Sequence, residues 1–161
     1  VRNIIGYGEI HVSGRLSCQT LRFVGVVSAD GDLVCARDVA VDGILSNGSV
    51  ISAASVTLHG VLESADVRTD TLSIEPLHSM MLTRHAMGEY TASSRARTVV
   101  GNAVRDHALT CVTLHADAVE LSERCRIERL CNASHVAGDG TADVSLFRPT
   151  CSQTHLKRSR A

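Results

Sequence analysis

The sequence predicts an all-β fold, a β-helix in which short strands stack turn upon turn. Three observations predict it. A short apolar-x-apolar-x-Gly phrase recurs with a period near 17 residues. Turn dipeptides recur between the copies. Composition favours small aliphatic side chains over aromatic ones: the 161 residues are 44% hydrophobic but only 2% aromatic, with no Trp and two Pro.

The phrase reads Ile10-His11-Val12-Ser13-Gly14, Leu21-Arg22-Phe23-Val24-Gly25, Val39-Ala40-Val41-Asp42-Gly43 and Val56-Thr57-Leu58-His59-Gly60. Leu72-Ser73-Ile74-Glu75 opens a fifth copy, with Pro76 in place of the glycine. Successive copies start 11, 18, 17 and 16 residues apart. Two apolar residues two apart fall on one face of a strand. A glycine after them permits a corner or bulge. One such strand buries little, so copies must stack at about 4.8 Å to join their apolar pairs into a core.

The rest of each turn agrees. Val26-Val27, Asp30-Gly31 and Leu33-Val34-Cys35 follow Gly25, and Ile44-Leu45, Asn47-Gly48 and Val50-Ile51 follow Gly43. Val61-Leu62, Glu63-Ser64 and Val67-Arg68-Thr69 follow Gly60. Asp-Gly and Asn-Gly adopt positive φ readily, so they bend the chain cheaply. An amphipathic helix needs apolar spacings of three and four and tolerates a recurring glycine poorly.

Four segments result. Residues 1–76 hold the solenoid repeats, opened by an irregular lead-in over residues 1–9. Residues 77–107 form an irregular insertion or cap, in which Leu77–Met87 spells a short helix. Its methionines Met80, Met81 and Met87 suit a lid on the solenoid better than a membrane- or partner-binding patch. Thr98-Val99-Val100-Gly101 begins the return to strand. Residues 108–150 form a second solenoid block, with apolar pairs Val112/Leu114, Val119/Leu121 and Cys125/Ile127 at spacings of 7 and 6. Residues 151–161 are a basic, solvated tail.

Sixteen basic and 17 acidic residues leave a net charge of −1, which argues against nucleic acid as a partner. No apolar run reaches the length of a membrane span, and residues 1–9 show no secretory leader pattern. The six cysteines, with no C-x-x-C pair, read as small buried hydrophobes in a reducing compartment.

Chemistry is sparse in the pattern. No G-x-S-x-G, H-E-x-x-H or phosphate loop is present, so no cofactor is expected and the chain reads as a non-enzyme. The hexapeptide repeat of β-helix acyltransferases is absent. Eight histidines are scattered; His107 and His115 are the nearest pair, and no third follows at the coil period to complete a zinc site. His59 belongs to the outward face. Asp30, Asp42 and Asp66 are the carboxylates to weigh for a β-helix hydrolase or lyase, and Asp30 is explained by its turn. Long cleft-building loops are missing.

The glycine-marked run from Ile10 to Ile74 resembles the bactofilins, bacterial polymer-forming cytoskeletal proteins. The second block adds Leu114–Val119 and Leu121–Leu130, in which Ser122-Glu123-Arg124-Cys125-Arg126-Ile127 is similar to a Gly-x-x-Cys-x-Ile phrase of a branch with an interrupted repeat. Cys and Ile are kept; the glycine is replaced. The resemblance spans about residues 8–135. It implies a right-handed β-helix of about 17-residue turns, nucleotide-free assembly end to end, and a scaffold for cell shape or for positioning cell-envelope enzymes. It also implies a cytoplasmic protein peripheral to the inner membrane, with itself and cell-envelope proteins as partners. The repeat block is short and interrupted, which suits capping or co-assembly as well as long filaments.

Physics points to self-association independently, because solenoid ends expose apolar core and open ladders. By chain order, Ile10 and Val12 mark one end, and Ile127 and Leu130 the other. The alternative is a monomeric binding or adaptor module; an enzyme acting on carbohydrate or acyl groups ranks last.

Overall fold

The computed structural model describes residues 2–76, 93–122, 124–138 and 142–148. The helix expected over Leu77–Met87 and the basic tail lie outside them. Every regular element among the described residues is a strand: β1 (Asn3–Val12), β2 (Leu16–Cys18), β3 (Thr20–Ala29), β4 (Leu33–Cys35), β5 (Asp38–Glu75), β6 (Ser94–Val100), β7 (Ala103–Asp106), β8 (Leu109–His115), β9 (Ala118–Leu121), β10 (Arg126–Cys131), β11 (His135–Gly138) and β12 (Asp143–Arg148). Among the described residues all neighbouring strands pair in parallel, as a β-solenoid of about seven turns spaced about 17 residues apart.

Each turn has three sides. The register shows the period directly: Leu21 pairs with Val39 and Phe23 with Val41 on one side, Val27 with Leu45 on the next, and Leu33 with Ile51 on the third. Inward residues stack in columns. On the third side Leu33, Ile51, Val67, Val99, Leu114 and Leu130 are each 0% exposed. Burying each aliphatic chain contributes about 1.5–3 kcal/mol, and no single rung retains that gain without its neighbours.

The glycines hold one corner. Gly8, Gly25, Gly43 and Gly60 have φ of 115°, 133°, 143° and 146°. A Cβ on Gly25 would lie 1.9 Å from the Gly8 carbonyl oxygen, and one on Gly60 would lie 2.0 Å from that of Gly43. The corner therefore requires glycine twice over, by backbone angle and by space. Farther along, Ala108 (φ 51°) and Arg124 (φ 61°) make the left-handed bend before β8 and β10. The opposing corner between the second and third sides is polar. Asn47 donates through Nδ2 to the Gly31 carbonyl and accepts the Ser49 amide at 3.0 Å, while the Ser49 hydroxyl donates to Asp32 at 2.7 Å.

Three details differ from the sequence reading. Gly8, not Gly14, begins the glycine column, because Ile4 pairs with Leu21 and Gly8 with Gly25. Gly14 instead accepts the Gly31 amide at the next corner. That explains the odd 11-residue spacing: the first copy, Ile4-Ile5-Gly6-Tyr7-Gly8, has glycine where the second apolar residue belongs. Val112 is 40% exposed, since the inward residues of β8 are Leu109, Cys111 and Leu114. The solenoid also resumes at Ser94, well before residue 107. Arg95 pairs with Glu63 and Val104 with Leu72, so the ladder crosses the interruption in register. The polar stretch Ser93–Arg97 hides this return, because only Ser94 and Ala96 point inward.

Candidate functional site: the terminal rungs

The first rung is formed by β1 and β2. Among the described residues β1 pairs only with β3, and β2 only with β4, so their outer edges have no strand beside them. An unpaired edge presents backbone donors and acceptors ready for another strand. No side chain of β1 is fully buried. Ile4, Ile10 and Val12 are half-buried and pack on the core from this end. On the outer surface of the same rung Ile5 is 76% and Tyr7 89% exposed, with Val24 beside Tyr7 on the next turn.

The last described rung is formed by β11 and β12, which pair only with β9 and β10. Val136, Ala142 and Val144 are half-buried there. Ile127 and Leu130 sit one turn deeper. Each is 0% exposed, and β12 lies over them with Val144 opposite Ile127 and Phe147 opposite Leu130. Ile10 and Val12 thus lie on a terminal rung, whereas Ile127 and Leu130 lie beneath one; Val136 and Val144 occupy the equivalent terminal place. The sequence offers Val144-Ser145-Leu146-Phe147-Arg148-Pro149 as a last strand or a strap over the end, and β12 is that strand, whereas β11 falls in the stretch 132–143 that reads as irregular.

The other candidate side chains are not brought together. Asp66 receives Arg97 in a two-pronged contact at 2.9 and 3.2 Å. Asp30 lies 3.8 Å from His11 at a corner, and Asp42 stands on another side of the solenoid, opposite Val24. His59 lies 3.4 Å from Glu75 on the neighbouring turn. His107 contacts the Ser122 hydroxyl at 3.2 Å, and His115 contacts Asn132 at 3.5 Å, at separate corners. Among the described residues no group of three or more His, Cys, Asp or Glu is placed to hold a metal ion.

A shallow groove of about 690 Å³ crosses the outer surface of the second block over Thr71, Ser73, Ala103, Ala118 and the Arg105–Glu120 ion pair. Its lining is mostly small side chains, with the Thr71 and Ser73 hydroxyls, His135 and one charge pair as its polar groups.

Two features escaped sequence reasoning. Cys18 and Cys35 pair across the first two turns and form a disulfide, with Cα atoms 4.8 Å apart. The reading of all six cysteines as buried thiols is corrected for this pair and for Cys131, which is only half-buried; Cys151 lies outside the described residues. Their separation of 17 equals the coil period, which stacks them at a distance that suits a bridge. Cys111 and Cys125 are buried thiols, and burial pushes them up to about 12 and about 11, so both are held protonated and inert. Asp106 is 0% exposed on an inward position, and burial raises it to about 8.

No family model, curated protein or solved structure matches the chain. The functional reading therefore rests on the solenoid and its terminal rungs.

Proposed function

We propose that the protein is a structural, self-assembling scaffold that associates end to end through its terminal rungs without nucleotide, and that it is not an enzyme. The observation that carries this reading is the pair of rungs, β1/β2 and β11/β12, whose outer edges have no strand partner among the described residues. Each rung also leaves aliphatic side chains half-buried: Ile4, Ile10 and Val12 at one end, Val136 and Val144 at the other. Stacking a second copy on such a rung continues the ladder and buries those side chains, the same two gains that hold successive turns together within the chain.

The resemblance to bactofilins supports the same reading and extends it to a bacterial cytoskeletal role beneath the cell envelope, with cell-envelope proteins as further partners. The even charge balance agrees with a partner that is protein and not nucleic acid.

Negative-stain microscopy of purified, nucleotide-free protein tests the proposal. Elongated particles that lengthen with concentration are expected, and Ile10→Asp or Val144→Asp shortens them. Uniform single particles at every concentration would favour the monomeric adaptor instead.

A further inference from the structure

We propose that the Cys18–Cys35 disulfide is a redox-set lock that holds the first turn of the solenoid closed on the second. The first turn is the least buried part of the N-terminal half. Its β1 has no fully buried side chain, while β3 beneath it has Leu21 and Val27 at 0% exposure. A rung with few buried contacts and one unpaired edge opens locally at low cost. The bridge joins β2 to β4 at paired positions of neighbouring turns, and so closes a loop spanning one turn, 17 residues.

Cys18 and Cys35 are 7% and 4% exposed, and the next place in the column is the small Ala53. The bridge is therefore shielded while the turn is closed and reached when it opens, so lock and opening are coupled. In the reducing direction a small thiolate attacks one sulfur and forms a mixed disulfide with it, releasing the other cysteine as thiolate. A second small thiolate then resolves the mixed disulfide, leaving two cysteine thiols and one small-molecule disulfide. In the oxidising direction a low-molecular-weight disulfide is the oxidant: it accepts two electrons from the two cysteines and leaves as two thiols. Because loop closure restrains the opened turn, reduction is expected to raise its local opening on the order of 100-fold.

A consequence for assembly rests on the end-to-end reading above; the lock itself does not. The full chain is equilibrated in parallel with glutathione disulfide or with dithiothreitol. Three readouts follow: alkylated thiols counted by mass after denaturation, amide exchange in β1 and β2 against β8 as internal reference, and sedimentation. After glutathione disulfide treatment, two of the six cysteines escape alkylation. Exchange in β1 and β2 speeds up on the order of 100-fold on reduction, with β8 unchanged. Cys18→Ser behaves as the reduced protein in both buffers. Six alkylated thiols in both buffers, the same two thiols lost from Cys18→Ser, or equal exchange in β1 and β2 would overturn the lock. A working lock with unchanged sedimentation would overturn only its link to assembly.

Discussion

Asp106 stands directly opposite Leu121 on the neighbouring turn, at an inward position of the core. It is 0% exposed, and neither carboxylate oxygen has a hydrogen-bond partner among the described residues. Its surroundings are the apolar column on either side and the buried thiols of Cys111 and Cys125, with no cation among the described residues to balance a negative charge. Desolvation of the charged form is the cause of its raised pKa of about 8. At neutral pH the side chain is held as the neutral acid.

The pH dependence follows from that proton. The unfolded chain releases it near the ordinary value of 3.8, while the folded chain keeps it to about 8. Between these values the folded state binds more protons, so stability falls as pH rises through the window, by at most about 1.4 kcal/mol per unit. Asp106→Val flattens that slope and raises stability at pH 7 by about 1–3 kcal/mol, because an unsatisfied buried polar group is replaced by an apolar one. Urea unfolding of both proteins from pH 5 to 9 measures slope and offset together.

The glycine corner makes a second prediction. An added Cβ at Gly25 or Gly60 meets a backbone carbonyl at 1.9 or 2.0 Å and a φ above 130°. Gly25→Ala and Gly60→Ala each destabilise the fold by at least about 2 kcal/mol. Gly14→Ala, where an added Cβ meets nothing within 4 Å, costs under about 1 kcal/mol. Urea midpoints of the three variants provide the comparison.

The interruption is predicted to be dispensable for the ladder. The Leu62 amide donates to the Ser94 hydroxyl at 3.0 Å, and Glu63 pairs with Arg95 across an offset of 32 residues. Excising residues 77–92 leaves an offset of 16, the length of one turn. The excised protein keeps its β-rich far-ultraviolet spectrum and unfolds cooperatively, with the shorter connection altering stability by under about 2 kcal/mol. A collapsed spectrum would show that the second block needs the insertion in order to fold.

Surface charge contributes less. Arg97 bonds Asp66 with its own side chain 67% exposed. Arg97→Ala is therefore expected to leave stability nearly unchanged, with any small loss shrinking further in high salt. Thermal melts at low and high ionic strength check it.

Much of this architecture was legible, and the reasons are physical. Leu21/Phe23, Val39/Val41 and Val56/Leu58 alternate at strand period, and their glycines keep step because the corner admits nothing larger. The first copy was misplaced because Gly6 stands where an apolar residue normally marks the inward face. In the second block Ala108 and Arg124 take the left-handed bend, so the glycine marker vanishes and Ser94 is easily missed as the return to strand. Val144 is legible as the start of a last strand, whereas Val136 is hidden by the glycines that follow it. Asp106 carries no local signal: Val104-Arg105-Asp106 reads as a surface strand end until the register places it opposite Leu121. The Cys18–Cys35 pair did carry a signal, its one-period spacing, which matters only once the coil length is known.

Fibre diffraction from aligned assemblies of the nucleotide-free protein tests the central claim most directly. If copies continue one another's ladders through β1/β2 and β11/β12, strands lie across the long axis. The account then predicts a strong meridional reflection near 4.8 Å, weakened or lost with Ile10→Asp. A 4.8 Å reflection on the equator, or protein that forms no assemblies to align, would contradict it.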